Sequence, residues 1–61
     1  MKEKSVKMQA EEVILQLTDE GFDPQQISSA MADGEYLEKE GIGQDLAEEV
    51  RNRIKKIVQL R

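Results

Sequence analysis

Carboxylates are the reactive groups this chain has in quantity. Thirteen Asp and Glu side chains stand beside nine Lys and Arg in 61 residues, with one tyrosine, no histidine and no cysteine. Without imidazole or thiol, the usual general base, the thiol nucleophile and most transition-metal ligands are missing. Carboxylates do acid–base work only in a concave, desolvated site that shifts their pKa, and a chain this short can hardly wrap one. The densest acidic group, Asp19-Glu20-Gly21-Phe22-Asp23, lacks the spaced oxygen ligands and the closing bidentate glutamate of a calcium loop. Read as a helix stop followed by a helix start, it needs no ion. The expectation is therefore no enzyme, no metal and no cofactor, with binding as the working chemistry.

Charge is segregated along the chain. Lys2, Lys4 and Lys7 face Glu3 alone at the start, residues 11–49 hold twelve acids and Lys39, and Arg51, Arg53, Lys55, Lys56 and Arg61 close the sequence without an acid. The net charge of −4 thus hides an acidic body with basic ends. Such a pattern suits a basic partner surface, phosphate contacts through the tail, or simple solvation. The first residues, Met1-Lys2-Glu3-Lys4-Ser5, are charged and lead into no apolar h-region. No apolar run reaches the roughly 18 residues of a membrane span. A cytoplasmic protein with no membrane partner is the expectation.

The elements that must position these groups are helical. From Ser5 to Glu20 the apolar residues Val6, Ala10, Val13, Ile14 and Leu17 recur at spacings of three and four, with Leu15 widening the stripe, and Gly21 stops the helix. Asp23 then stands as N-cap before Pro24 at the first helical position. Gln26 completes a capping box, and Phe22 with Ile27 a hydrophobic staple. This predicts a second helix over 24–33, burying Ile27, Ala30 and Met31 and ended by Gly34. Residues 34–43 read as a loop or single helical turn pinned by Tyr36, Leu37 and Ile42. A last helix over 44–60 carries Leu46, Val50, Ile54, Ile57 and Val58 on one face with Ala47 beside it. Its acids Asp45, Glu48 and Glu49 come first and its bases last, which suits the helix dipole. No alternating strand pattern and no repeat occurs. The fold expected over residues 1–61 is a single all-α domain with a short charged tail (1–4). Its three helices, about 5–20, 24–33 and 44–60, form a small bundle or helical hairpin.

Three stretches resemble parts of known families. Residues 12–31, an apolar helix followed by Gly21 and the short Ile27–Met31 helix, resemble the opening of response-regulator and resolvase helix-turn-helix domains. Those families lead into their recognition helix through a short turn, where this sequence inserts about ten residues. Gly41-Ile42-Gly43-Gln44-Asp45-Leu46-Ala47-Glu48-Glu49-Val50 is similar to the hairpin and second helix of helix-hairpin-helix modules, in which hairpin amides hold a DNA phosphate. Lys39 stands where that family has an apolar residue. Ile27 through Gly34-Glu35-Tyr36, followed by Leu46–Val50, resembles the partner-binding half of flagellar anti-sigma factors, which implies a surface for another protein.

The leading expectation is a small regulatory or adaptor protein that binds a protein partner through amphipathic helices. Leu15, Tyr36, Leu37, Ile57 and Leu60 are its contact candidates. A core with only two aromatic residues, Phe22 and Tyr36, is thin, so a homodimer is expected to supply the missing burial. The alternative is a minimal DNA-binding transcriptional regulator using Arg51, Arg53, Lys55, Lys56 and Arg61 on phosphates. Against it stands the acidic start of the last helix, which a nucleic-acid surface repels.

Overall fold

The computed structural model describes residues 5–59 and is helical throughout, with no strand among them. Four helices follow in order: α1 Val6–Asp19, α2 Pro24–Met31, α3 Gly34–Glu40 and α4 Gln44–Gln59. The all-α class is as expected, but the helices number four, because residues 34–40 form a helix of their own.

Three of the four starts are set by a short side chain placed to accept orphan amide protons. Ser5 Oγ accepts from Met8 N at 3.2 Å and opens α1. The Asp23 capping box is complete: Gln26 N donates to Asp23 Oδ1 at 2.8 Å and Asp23 N to Gln26 Oε1 at 2.9 Å, with Pro24 at the first turn. Asp33 is the residue that changes the helix count. Its Oδ1 accepts from Glu35 N at 3.0 Å and Tyr36 N at 3.4 Å. Gly34 thereby becomes the first residue of α3, whereas the sequence reading made it the stop of α2. The second helix ends earlier than expected, at Met31, with Ala32 as its cap.

Two of the helices stop by one device. At the end of α1 the N–H of Phe22 donates to Leu17 O and that of Gly21 to Thr18 O, both at 3.0 Å, while Gly21 holds φ +104°. At the end of α3 the N–H of Ile42 donates to Leu37 O at 2.8 Å and that of Gly41 to Glu38 O at 3.3 Å, with Gly41 at φ +71°. This is the Schellman closure, in which a glycine takes the left-handed turn and the next, apolar residue folds back on the helix. Phe22 and Ile42 are accordingly half-buried against the core.

Helix α4 is the centre of the packing, lying on α1 and α2, while α3 rests mainly on α2. The end of α1 shares a cleft with Ile42, the residue just before α4, and Glu11 in mid-α1 pairs with Arg53 in the second half of α4. Helices α1 and α4 therefore run antiparallel. The core consists of Ala10, Leu17, Ile27, Met31, Leu37, Ala47, Val50 and Ile54, with no buried polar residue among the described residues. Neither aromatic is fully inside. Burial on α4 ends at Ile54, although the apolar stripe continues to Ile57 and Val58.

Candidate functional site

Apolar side chains that the monomer leaves in water mark the surfaces open to a partner. Val6, Met8, Leu15, Ile57 and Val58 are the large exposed ones, Leu15 at 63% and Ile57 at 41%. Leu15 and Ile57 come from opposite ends of the sequence, yet both line one groove of about 410 Å³ between α1 and α4. Ile14 joins them, and Lys7, Glu11, Glu49, Arg53 and Lys56 form the charged frame. Met8, 56% exposed, lies seven residues before Leu15 and so on the same stripe of α1.

Arg53 organises the frame. Its Nε lies 3.6 Å from Glu49 Oε2 on α4, and its Nη1 lies 3.8 Å from Glu11 Oε2 on α1. Its Nε is buried without a hydrogen-bond partner, so the guanidinium meets these carboxylates as a charge more than as a donor. Because α1 and α4 run in opposite directions, Lys7 and Lys56 fall at one end of the groove. Glu49 and Ile14 fall toward the other. The groove therefore has a basic end that carries Ile57, an acidic end that carries Ile14 and Leu15, and the Glu11–Arg53 pair between them.

Of the other contact candidates, Tyr36 is half-buried in a second cleft, and Leu60 lies outside the described residues. Leu37 must be withdrawn as a contact. At 5% exposure it belongs to the core, because the unexpected helix α3 turns it inward. The sequence reading left out Met8, which its position seven residues before Leu15 would have revealed.

The basic residues of the alternative reading are dispersed. Arg51 and Lys55 line a groove between α2 and α4 with Gln25, Ser28 and Glu48, while Arg53 and Lys56 line the α1–α4 groove. Arg53 is engaged by two carboxylates, and Arg61 lies outside the described residues. At the Gly41-Ile42-Gly43 turn, the amides of Gly41 and Ile42 both donate inward to α3 carbonyls. They are not directed at an external phosphate. The helix that follows α2 after a two-residue turn is α3, whose Glu35, Glu38 and Glu40 outnumber Lys39. Asp45 stands in the first turn of α4.

The second cleft, about 320 Å³, is formed where α1 ends beside α3. Val13, Gln16, Leu17 and Glu20 contribute from α1, and Tyr36, Glu40, Ile42 and Phe22 close it. Burial pushes the Tyr36 phenol above its ordinary value, and the carboxylates of Glu40 and Glu20 push the same way. No group of His, Cys, Asp and Glu suited to a metal ion occurs among the described residues, and no described helix is long and apolar enough to cross a membrane. Comparison with protein-family models, curated proteins and solved structures finds no match.

Proposed function

We propose that this chain is a small non-enzymatic regulatory or adaptor protein that works by protein–protein binding, and that the α1–α4 groove pairs it with a second copy of itself. The observation that carries the proposal is the exposure of Leu15 and Ile57 toward opposite ends of one groove that carries charge of both signs. A two-fold axis across the groove reverses its direction. It sets the Lys7, Lys56 and Ile57 end of one copy against the Glu49, Ile14 and Leu15 end of the other, so that opposite charges and apolar side chains meet at both ends. A partner of one charge sign would satisfy only one end. A large burial gain is available to a domain whose own core holds eight residues.

The competing role, DNA binding, rests on the basic residues of α4, and nothing in their placement favours it. They divide between two sides of the helix, one of them is held by Glu11 and Glu49, and the amides of Gly41 and Ile42 in the glycine turn already donate to α3 carbonyls.

Sedimentation equilibrium of the full chain, from low to high micromolar concentration, tests the pairing. A mass rising from monomer to dimer is expected. A monomer throughout that range would refute it. A salt titration with a short duplex separates the two roles, since phosphate contacts would give binding that falls steeply with salt. No binding at low salt is expected.

A further inference from the structure

The cleft between the end of α1 and α3 has a composition unlike the rest of the surface. It holds both aromatic residues of the chain, Phe22 and Tyr36, with Val13, Leu17 and Ile42 as apolar walls. Its only charged lining residues are Glu20 and Glu40. Both carboxylates are exposed, and neither has an ion-pair partner among the described residues. It is also more enclosed than the two helix grooves.

Each of these properties selects for the same guest. The apolar walls take up an aliphatic stem, the electron-rich face of a tyrosine attracts a cation, and two carboxylates at the rim attract it again. A volume of about 320 Å³ corresponds to roughly ten waters, more than one side chain needs. An isolated small cation would therefore leave the walls wet, whereas a peptide with an apolar neighbour beside its basic residue would cover them.

We propose that this cleft docks an arginine or lysine side chain, together with an adjacent apolar residue, from a segment of a partner protein. The partner is then apolar and basic, the complement of an acidic body that holds twelve acids and Lys39 between residues 11 and 49. Its lining shares no residue with the α1–α4 groove, so occupation of the two can be read separately. Its failure would leave the pairing of α1 and α4 standing, because sedimentation reads that pairing alone.

The test is a titration of the isotope-labelled full chain, followed by amide shifts and by the ring resonances of Tyr36, the only tyrosine. The probe is a short helical peptide bearing one arginine between leucines. Its controls are the same peptide with the neutral isostere citrulline, and n-butylguanidinium alone. Saturable shifts are expected at Gln16, Glu20, Phe22, Tyr36 and Ile42 with the arginine peptide. The citrulline peptide and butylguanidinium should each bind more weakly. Glu20→Gln combined with Glu40→Gln should weaken the arginine peptide about five- to tenfold, as expected for two solvent-facing charge contacts. Both positions are exposed, so the variant keeps its fold, which circular dichroism checks. Equal binding of the citrulline and arginine peptides would overturn the proposal, and so would butylguanidinium binding as tightly as the peptide. Shifts centred on Leu15 and Ile57, or no saturable shift at all, would overturn it too.

Discussion

Two isoleucines in this chain allow one chemical deletion to be made in two environments. Ile27 is 1% exposed and is among the largest fully buried side chains, whereas Ile57 is 41% exposed at the end of α4. Truncating a buried isoleucine to alanine costs about 2–5 kcal/mol, the sum of lost transfer energy and the cavity left behind. Small domains carry about 0.05–0.15 kcal/mol of stability per residue, so about 3–9 kcal/mol is available to a chain of this size. Ile27→Ala therefore removes a large share of the total, and a loss of about 3 kcal/mol lowers Tm by about 12–24 °C. Ile57→Ala in the monomer should cost less than about 1 kcal/mol, since much of that side chain is already wet. The assay is urea denaturation followed by helical circular dichroism, at a protein concentration low enough to hold the monomer. Equal losses in the two variants, or a loss under about 1 kcal/mol for Ile27→Ala, would refute the assignment of the core.

Three further outcomes follow from local geometry. Gly41→Ala should cost about 1 kcal/mol because Gly41 holds φ +71°, while Gly43→Ala, with no positive φ and no atom near the added carbon, should be close to neutral; chemical denaturation of both reads the difference. Asp23→Ala removes the acceptor for Gln26 N and should cost about 0.5–2 kcal/mol, with early amide exchange in the first turn of α2. The raised pKa of Tyr36 means that the folded chain holds its phenolic proton at a pH where the unfolded chain has released it. Stability should accordingly fall as the pH climbs from 10, the ordinary tyrosine value, through the higher folded value, and Tyr36→Phe should flatten that fall. Denaturation at alkaline pH, with tyrosinate absorbance as the titration readout, checks it. A variant as steep as the parent would contradict it.

What the sequence made legible was local. Asp23, Pro24 and Gln26 act across three residues, and the Gly21 stop depends on one backbone angle, so both could be read without knowing the rest of the fold. Helix α3 is not legible in the sequence, because seven residues are too few to show a helical period and Asp33-Gly34 reads as a stop. The signal was present in Asp33 as an acceptor for the amides that follow, and in Gly41-Ile42, which repeats the glycine-plus-apolar ending of Gly21-Phe22. Leu37 was misplaced with it. The α4 stripe showed which residues share a face, but periodicity does not say how far a neighbouring helix covers that face. Ile54 is buried and Ile57 exposed on that same stripe. Legibility was lowest for the cleft, since Phe22, Tyr36 and Ile42 meet there only through tertiary packing.

Mixing labelled and unlabelled copies of the full chain at high micromolar concentration, and recording only nuclear Overhauser effects that cross between copies, tests the central claim most directly. Contacts from the Leu15 methyls to Ile57 or Met8 of another copy are the predicted result. Inter-copy contacts confined to other surfaces, or none while the sample remains monomeric, would contradict the account.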